Sequence, residues 1–247
     1  MQLSNMQAEF IELIQNHHAQ NELLIPVKNL IYYKQKIEDH FLAHFASVYP
    51  MVKYFTSDTI FITMVKKYID YFPCRYSNIN EYGEFFFEMM ADNQVFHLPF
   101  LHELAQFEWL CHSMPTITDD GRLSVTSHGP SQTLNKTFIL HPSCRLEQFH
   151  FPILNLRECY LKKEAPSFAI MQSQTQYVLI TRPQSKLCIF KLKESEWIFF
   201  CGLQAQKTIQ EAQKEAERYD THFQLLDLDA MIEERIILDS SNKATVL

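Results

Sequence analysis

Residues 113–136, SMPTITDDGRLSVTSHGPSQTLNK, separate two stretches of different texture and so decide the fold to expect. Pro115, Asp119-Asp120-Gly121 and His128-Gly129-Pro130 are strong turn signals, and few apolar residues stand between them to hold the segment in a core. The segment reads as a linker over 114–136. Before it, apolar residues recur every three or four positions; after it, alternating runs appear. The expectation is a two-domain α+β chain.

Upstream, Leu30, Tyr33, Ile37, Phe41, Phe45 and Val48 form the stripe of a helix with one face in a core, closed by Pro50. Thr56, Ser57 and Asp58 offer capping oxygens ahead of Phe61, Met64, Val65, Tyr68 and Phe72, and Pro73 marks the stop. A shorter helix holds Tyr82, Phe86 and Met89. Another begins at Pro99, whose fixed φ suits a first helical position, and runs through Leu101, Leu104, Ala105 and Trp109 to about His112. With an opening helix near Phe10, Leu13 and Ile14, residues 1–113 make an all-helical bundle.

Downstream, Thr137 to Leu140 reads as extended, and two short helices are expected around Leu146 and Leu156. Tyr177 to Thr181 and Leu187 to Leu192 are β-rich runs, joined as a hairpin by Arg182-Pro183-Gln184-Ser185. A helix from Glu194 to Cys201, stopped by Gly202, precedes one from Lys207 to Tyr219 in which Thr208 and Glu211 stand at capping-box spacing. A last helix follows Asp229. Hairpin, helix, short turn and helix are the ground plan of winged-helix-like modules, so 137–247 is expected to be a mixed α/β domain of that kind.

Composition supports two packed cores. The 247 residues are 47% hydrophobic, with 20 Phe and 11 Tyr against 4 Gly. Apolar runs fall well short of the roughly 20 residues that span a bilayer. Met1 to Phe10 lacks the basic and apolar regions of a signal peptide, and six scattered cysteines form no C-x-x-C pair. A cytoplasmic protein with free thiols is expected. Net charge is −7, and up to Pro115 there are 7 Lys and Arg against 13 Asp and Glu. That balance argues against docking of the first half on nucleic acid.

The candidate chemistry is sparse. His40 and His44 are four apart on one helix and could reach one metal ion, but no third ligand accompanies them, so they read as surface or packing residues. No G-x-S-x-G elbow is present, and four glycines cannot build a phosphate-cradling loop; neither catalysis nor a cofactor is expected. Glu108 falls on the core side of its helix, where a carboxylate is costly unless hydrogen-bonded, so it must have a partner. In the helix Lys207 to Tyr219, Lys207, Lys214 and Arg218 are matched by Glu211, Glu215 and Glu217, which suits a solvated face better than a groove-reading one. The hairpin offers unpaired backbone groups to an incoming strand. Candidate peptide contacts are therefore Tyr177, Ile180, Leu187 and Ile189, with Lys207 and Lys214 on the neighbouring helix.

Tyr33, Pro50, Tyr82-Gly83 and the segment Pro99-Phe100-Leu101-His102-Glu103-Leu104-Ala105 with Glu108-Trp109 resemble the N-terminal domain of a bacterial family that includes the HvfC and BufC type proteins. Leu140-His141-Pro142, the helix ending at Gly202 and Thr208 to Ala216 resemble the same proteins' second domain. The resemblance implies a partner protein that brings a small Cys-containing precursor peptide to a multinuclear non-haem iron oxidase for cysteine modification. The family also carries a DNA-binding label, which makes a DNA-binding regulator the alternative.

Overall fold

The stripe beginning at Lys28 forms helix α1 (Val27–Val48), seen here in a computed structural model that describes residues 27–75, 77–92, 98–114, 137–141, 143–168, 170–182, 186–223, 231 and 236–239. Its second half, from His44 to Val48, enters the core. Its first half does not: Tyr33, expected on the buried stripe, is 47% exposed. Pro50 ends α1 as expected and also starts α2 (Pro50–Phe55), because its missing N–H costs nothing at a first helical position. Ser57 caps α3 (Asp58–Tyr71) by accepting a hydrogen bond from the Ile60 amide at 3.2 Å, and the helix stops ahead of Pro73.

A single 3-10 turn over Ile79–Glu81 leads into α4 (Phe86–Asp92). Tyr82, expected inside that helix, lies in the turn before it, where Gly83 takes φ +129°, a conformation open to glycine. Helix α5 covers Leu101–Ser113; Pro99 stands in the preceding turn rather than at the first helical position. These helices pack around Phe45, whose ring lies 5.1 to 5.8 Å from those of Tyr49, Tyr68, Tyr82 and Phe86. Tilted and edge-on pairs dominate, as ring quadrupoles favour.

The chain divides into two compact units, 1–109 and 110–247. The division falls inside the last part of α5, slightly before the expected end of the domain at Ser113. The expected linker beyond Met114 and the opening helix lie outside the described residues. Among the described residues five of the eight α-helices begin in the first unit, and all strands follow Ser113.

In the second unit β1 (Phe138–Leu140) pairs antiparallel with β5 (Ile237–Asp239). A separate antiparallel sheet has the order β2-β3-β4, built from Arg145–Phe149, Gln176–Thr181 and Cys188–Leu192. The expected helix at Leu146 is thus a strand: five consecutive residues of β2 pair with β3, and Leu146 joins Leu179 on the core face. Long-range pairing there overrides a short segment's local preference. The helix expected at Leu156 is α6 (Ile153–Lys162), and the hairpin expected between Tyr177 and Leu192 is β3-β4.

Helix α7 (Glu194–Gln204) runs through Gly202 instead of stopping there. Gly202 is needed for packing, since a Cβ on it would lie 2.8 Å from the Cβ of Ala212 on α8 (Ile209–Glu217). The capping box forms as read: Thr208 Oγ1 accepts from the Glu211 amide at 3.3 Å, and Glu211 Oε2 accepts from the Thr208 amide at 2.9 Å. Phe199, Phe200, Leu203, Ile209, Ala212 and Ala216 of these helices share a core with Phe138 and Leu179. The helix expected after Asp229 lies outside the described residues apart from Met231.

Candidate functional site

Glu108 is 4% exposed and both of its oxygens are engaged. Oε1 accepts from the Met51 amide at 2.6 Å and Oε2 from the Val52 amide at 3.1 Å. These are the second and third residues of α2, whose amides lack partners within the helix. The carboxyl group on α5 therefore caps α2 from 57 residues away in sequence. Burial pushes its carboxyl up to about 8, while the two amide bonds pull the other way. With both oxygens committed to backbone, Glu108 holds two helices together.

Neighbouring residues serve the same junction. Tyr49 Oη donates to the Gly83 carbonyl at 2.6 Å, and Tyr82 Oη donates to the Phe72 carbonyl at 2.7 Å. A Cβ on Gly83 would stand 3.5 Å from the Tyr49 ring and 3.6 Å from that of Trp109. His44 lies with Nε2 2.8 Å from the Tyr82 carbonyl, buried, while His40 is exposed on the same helix. The two histidines do not converge. Tyr49 and Glu103, both buried, were missed as polar members of this core. Tyr49 lies between α1 and α2, one residue past the stripe that ends at Val48, and Glu103 lies on α5 beside Leu104, so neither belongs to the apolar stripes read from the sequence.

The second candidate is an edge. Strand β3 is central and buried, with β2 on one side and β4 on the other, so β4 is the outer strand of the hairpin. Register fixes the faces: Tyr177 opposes Leu192, Leu179 opposes Phe190 and Thr181 opposes Cys188, while Val178 opposes Lys191 and Ile180 opposes Ile189. The first set faces α7, where the Tyr177 and Trp197 rings lie 5.1 Å apart. Leu187 and Ile189 are half-buried at the edge, and Phe190 is 38% exposed.

Of the expected peptide contacts, Leu187 and Ile189 lie along this edge and Tyr177 one strand inward. Ile180 is fully buried on the central strand and has no surface to offer a ligand. Lys207 and Lys214 belong with α8, which packs against α7, and Lys207 is paired there with Glu215. It is α7 that flanks β4. Phe190 and Lys191 were not singled out from sequence, although period-2 alternation placed them on opposite faces.

The six cysteines are free thiols, with Cys144 and Cys159 buried. Among the described residues, no three His, Cys, Asp or Glu side chains gather to hold a metal ion. No helix among them is long and apolar enough to cross a membrane. No family model matches the chain, and no curated protein matches it.

Proposed function

We propose that the chain is a non-catalytic partner protein whose second unit receives an extended precursor peptide as a further strand along β4 and presents it to a multinuclear non-haem iron oxidase that modifies the peptide's cysteines. The observation that carries the reading is the outer position of β4, whose outward N–H and C=O groups are a template for a fourth strand. The hairpin β3-β4 with α7 and α8 is winged-helix-like in this reading, and the groove lies beside α7. The first unit, acidic and aromatic, is left to meet the oxidase. Hydrogen exchange of the full chain, with and without the small Cys-containing peptide encoded beside its gene, tests the proposal. Protection of amides in residues 188–192 supports it; binding that protects only the helical unit, or no binding, overturns it.

A further inference from the structure

The edge strand carries a charge pattern that says which extended peptide it suits, an inference that rests on the strand-addition reading. Residues 186–193, KLCIFKLK, include Lys186, Lys191 and Lys193 and no acidic residue. All three lysines are exposed. Lys191 shares its face of the sheet with Ile189, and Lys193, two residues on in extended backbone at φ −73° and ψ 160°, continues that row. The opposite face presents Phe190 between Cys188 and Leu192. One face of the edge is thus apolar then cationic, and the other is apolar.

The carboxylates next to this row in sequence or register have contacts of their own. Glu194 stands beside the Tyr177 phenol and helps to raise its pKa, after burial, and Glu196 Oε2 accepts from the Lys193 backbone amide at 2.7 Å. Glu147 lies in the same cross-strand row as Lys191 but two strands away, roughly 10 Å by ordinary strand spacing, and its nearer cation is Arg145. No ion pair satisfies Lys186, Lys191 or Lys193 among the described residues. An incoming strand would bring its own side chains within a strand spacing of Lys191, closer than Glu147 two strands away.

We infer that β4 selects an acidic extended peptide, one with carboxylates at two successive same-face positions facing Lys191 and Lys193 and an apolar residue on the other face against Phe190. Edge lysines also serve to repel unwanted strands, so the inference needs a test that separates selection from simple guarding.

Three capped peptides long enough to cover β4, identical Thr-Val alternations in which two same-face Thr residues become Glu, Gln or Lys, are titrated calorimetrically into the full chain, with exchange protection of residues 188–192 followed in parallel. The Glu peptide is expected to bind about tenfold more tightly than the Lys peptide at low salt, with Gln between them. The gap should narrow at about 0.5 M salt, and the double variant Lys191→Glu, Lys193→Glu should invert the order. Equal affinities with protection of β4 overturn the acidic preference and leave strand addition standing. Absence of protection with all three peptides overturns both, and the lysines then guard the edge.

Discussion

Removing the Glu108 carboxylate should cost the first unit more than any other single polar change described here. Glu108→Ala leaves the Met51 and Val52 amides buried without acceptors. At about 1 to 3 kcal/mol for each of the two unsatisfied donors, the loss is about 2 to 6 kcal/mol. Glu108→Gln keeps the volume and one carbonyl acceptor but turns its amino group toward the other amide, so it should cost about 1 to 2 kcal/mol. The pH dependence sharpens the test. The folded carboxyl stands at about 8 against 4.5 for a free one, so between these values the native chain holds a proton that the unfolded chain has released. This contribution is full below about pH 4.5 and is lost as pH rises through about 8. The separation corresponds to at most about 5 kcal/mol; the amide donors and the positive end of α2 favour the anion, so a loss of about 2 to 3 kcal/mol is expected. Denaturant unfolding of the full chain, followed at Trp109 in a Trp197→Phe background, reads the first unit alone, because the chain has two tryptophans, one in each unit. Wild type should lose stability between about pH 5 and 9 while Glu108→Gln stays level with respect to this group. Parallel curves for the two proteins, or a loss below about 1 kcal/mol for Glu108→Ala, would refute the capping account.

Gly202→Ala places a methyl 2.8 Å from Ala212 Cβ and 3.2 Å from its Cα, neither of which can swing aside, so the second unit should lose about 1 to 3 kcal/mol in unfolding followed at Trp197; Ala212→Gly in the same chain should recover part of it, and an unchanged midpoint in Gly202→Ala would show that the helices separate freely. Duplex DNA should bind weakly and without sequence preference at physiological salt, since Lys207 is tied to Glu215 and the acidic excess lies in the first half. Nanomolar affinity for a defined duplex with a steep salt dependence would return the DNA-binding alternative.

Much of the helical unit was legible because its signals are local. Pro50, Ser57 and Pro73 fix ends by their own chemistry, and the burial of Glu108 followed from its place among Leu101, Leu104 and Ala105. What failed depended on distant chain. Leu146 is a strand residue because β3 lies beside it, and the partner of β1 is nearly a hundred residues away at β5. Gly202 has the sequence appearance of a stop, yet only the approach of Ala212 reveals it as a contact. Ile180 looked like an accessible strand residue until β2 appeared on the other side of β3 and made that strand central. Which strand of the hairpin is the outer one could not be assigned from the hairpin alone, because two strands have two edges and a third strand decides between them.

Pro50 starts the helix whose next two amides Glu108 holds; Gly83 lies against Tyr49 and Trp109; Tyr82 reaches back to the end of α3 at Phe72. Leu101 is buried in the same unit. These residues are constrained by caps, close approaches and a positive φ, so any chain that builds this junction needs them whatever it binds. Residues held in this way build a scaffold, and function has to be argued from sites placed upon it. The outer strand is under no comparable constraint. Lys191 and Phe190 could change without disturbing the junction of α1, α2 and α5, and a change there would alter what a fourth strand meets. In the strand-addition proposal partner choice would lie at the β4 edge, and the peptide series that varies only the charge facing Lys191 and Lys193 tests that proposal.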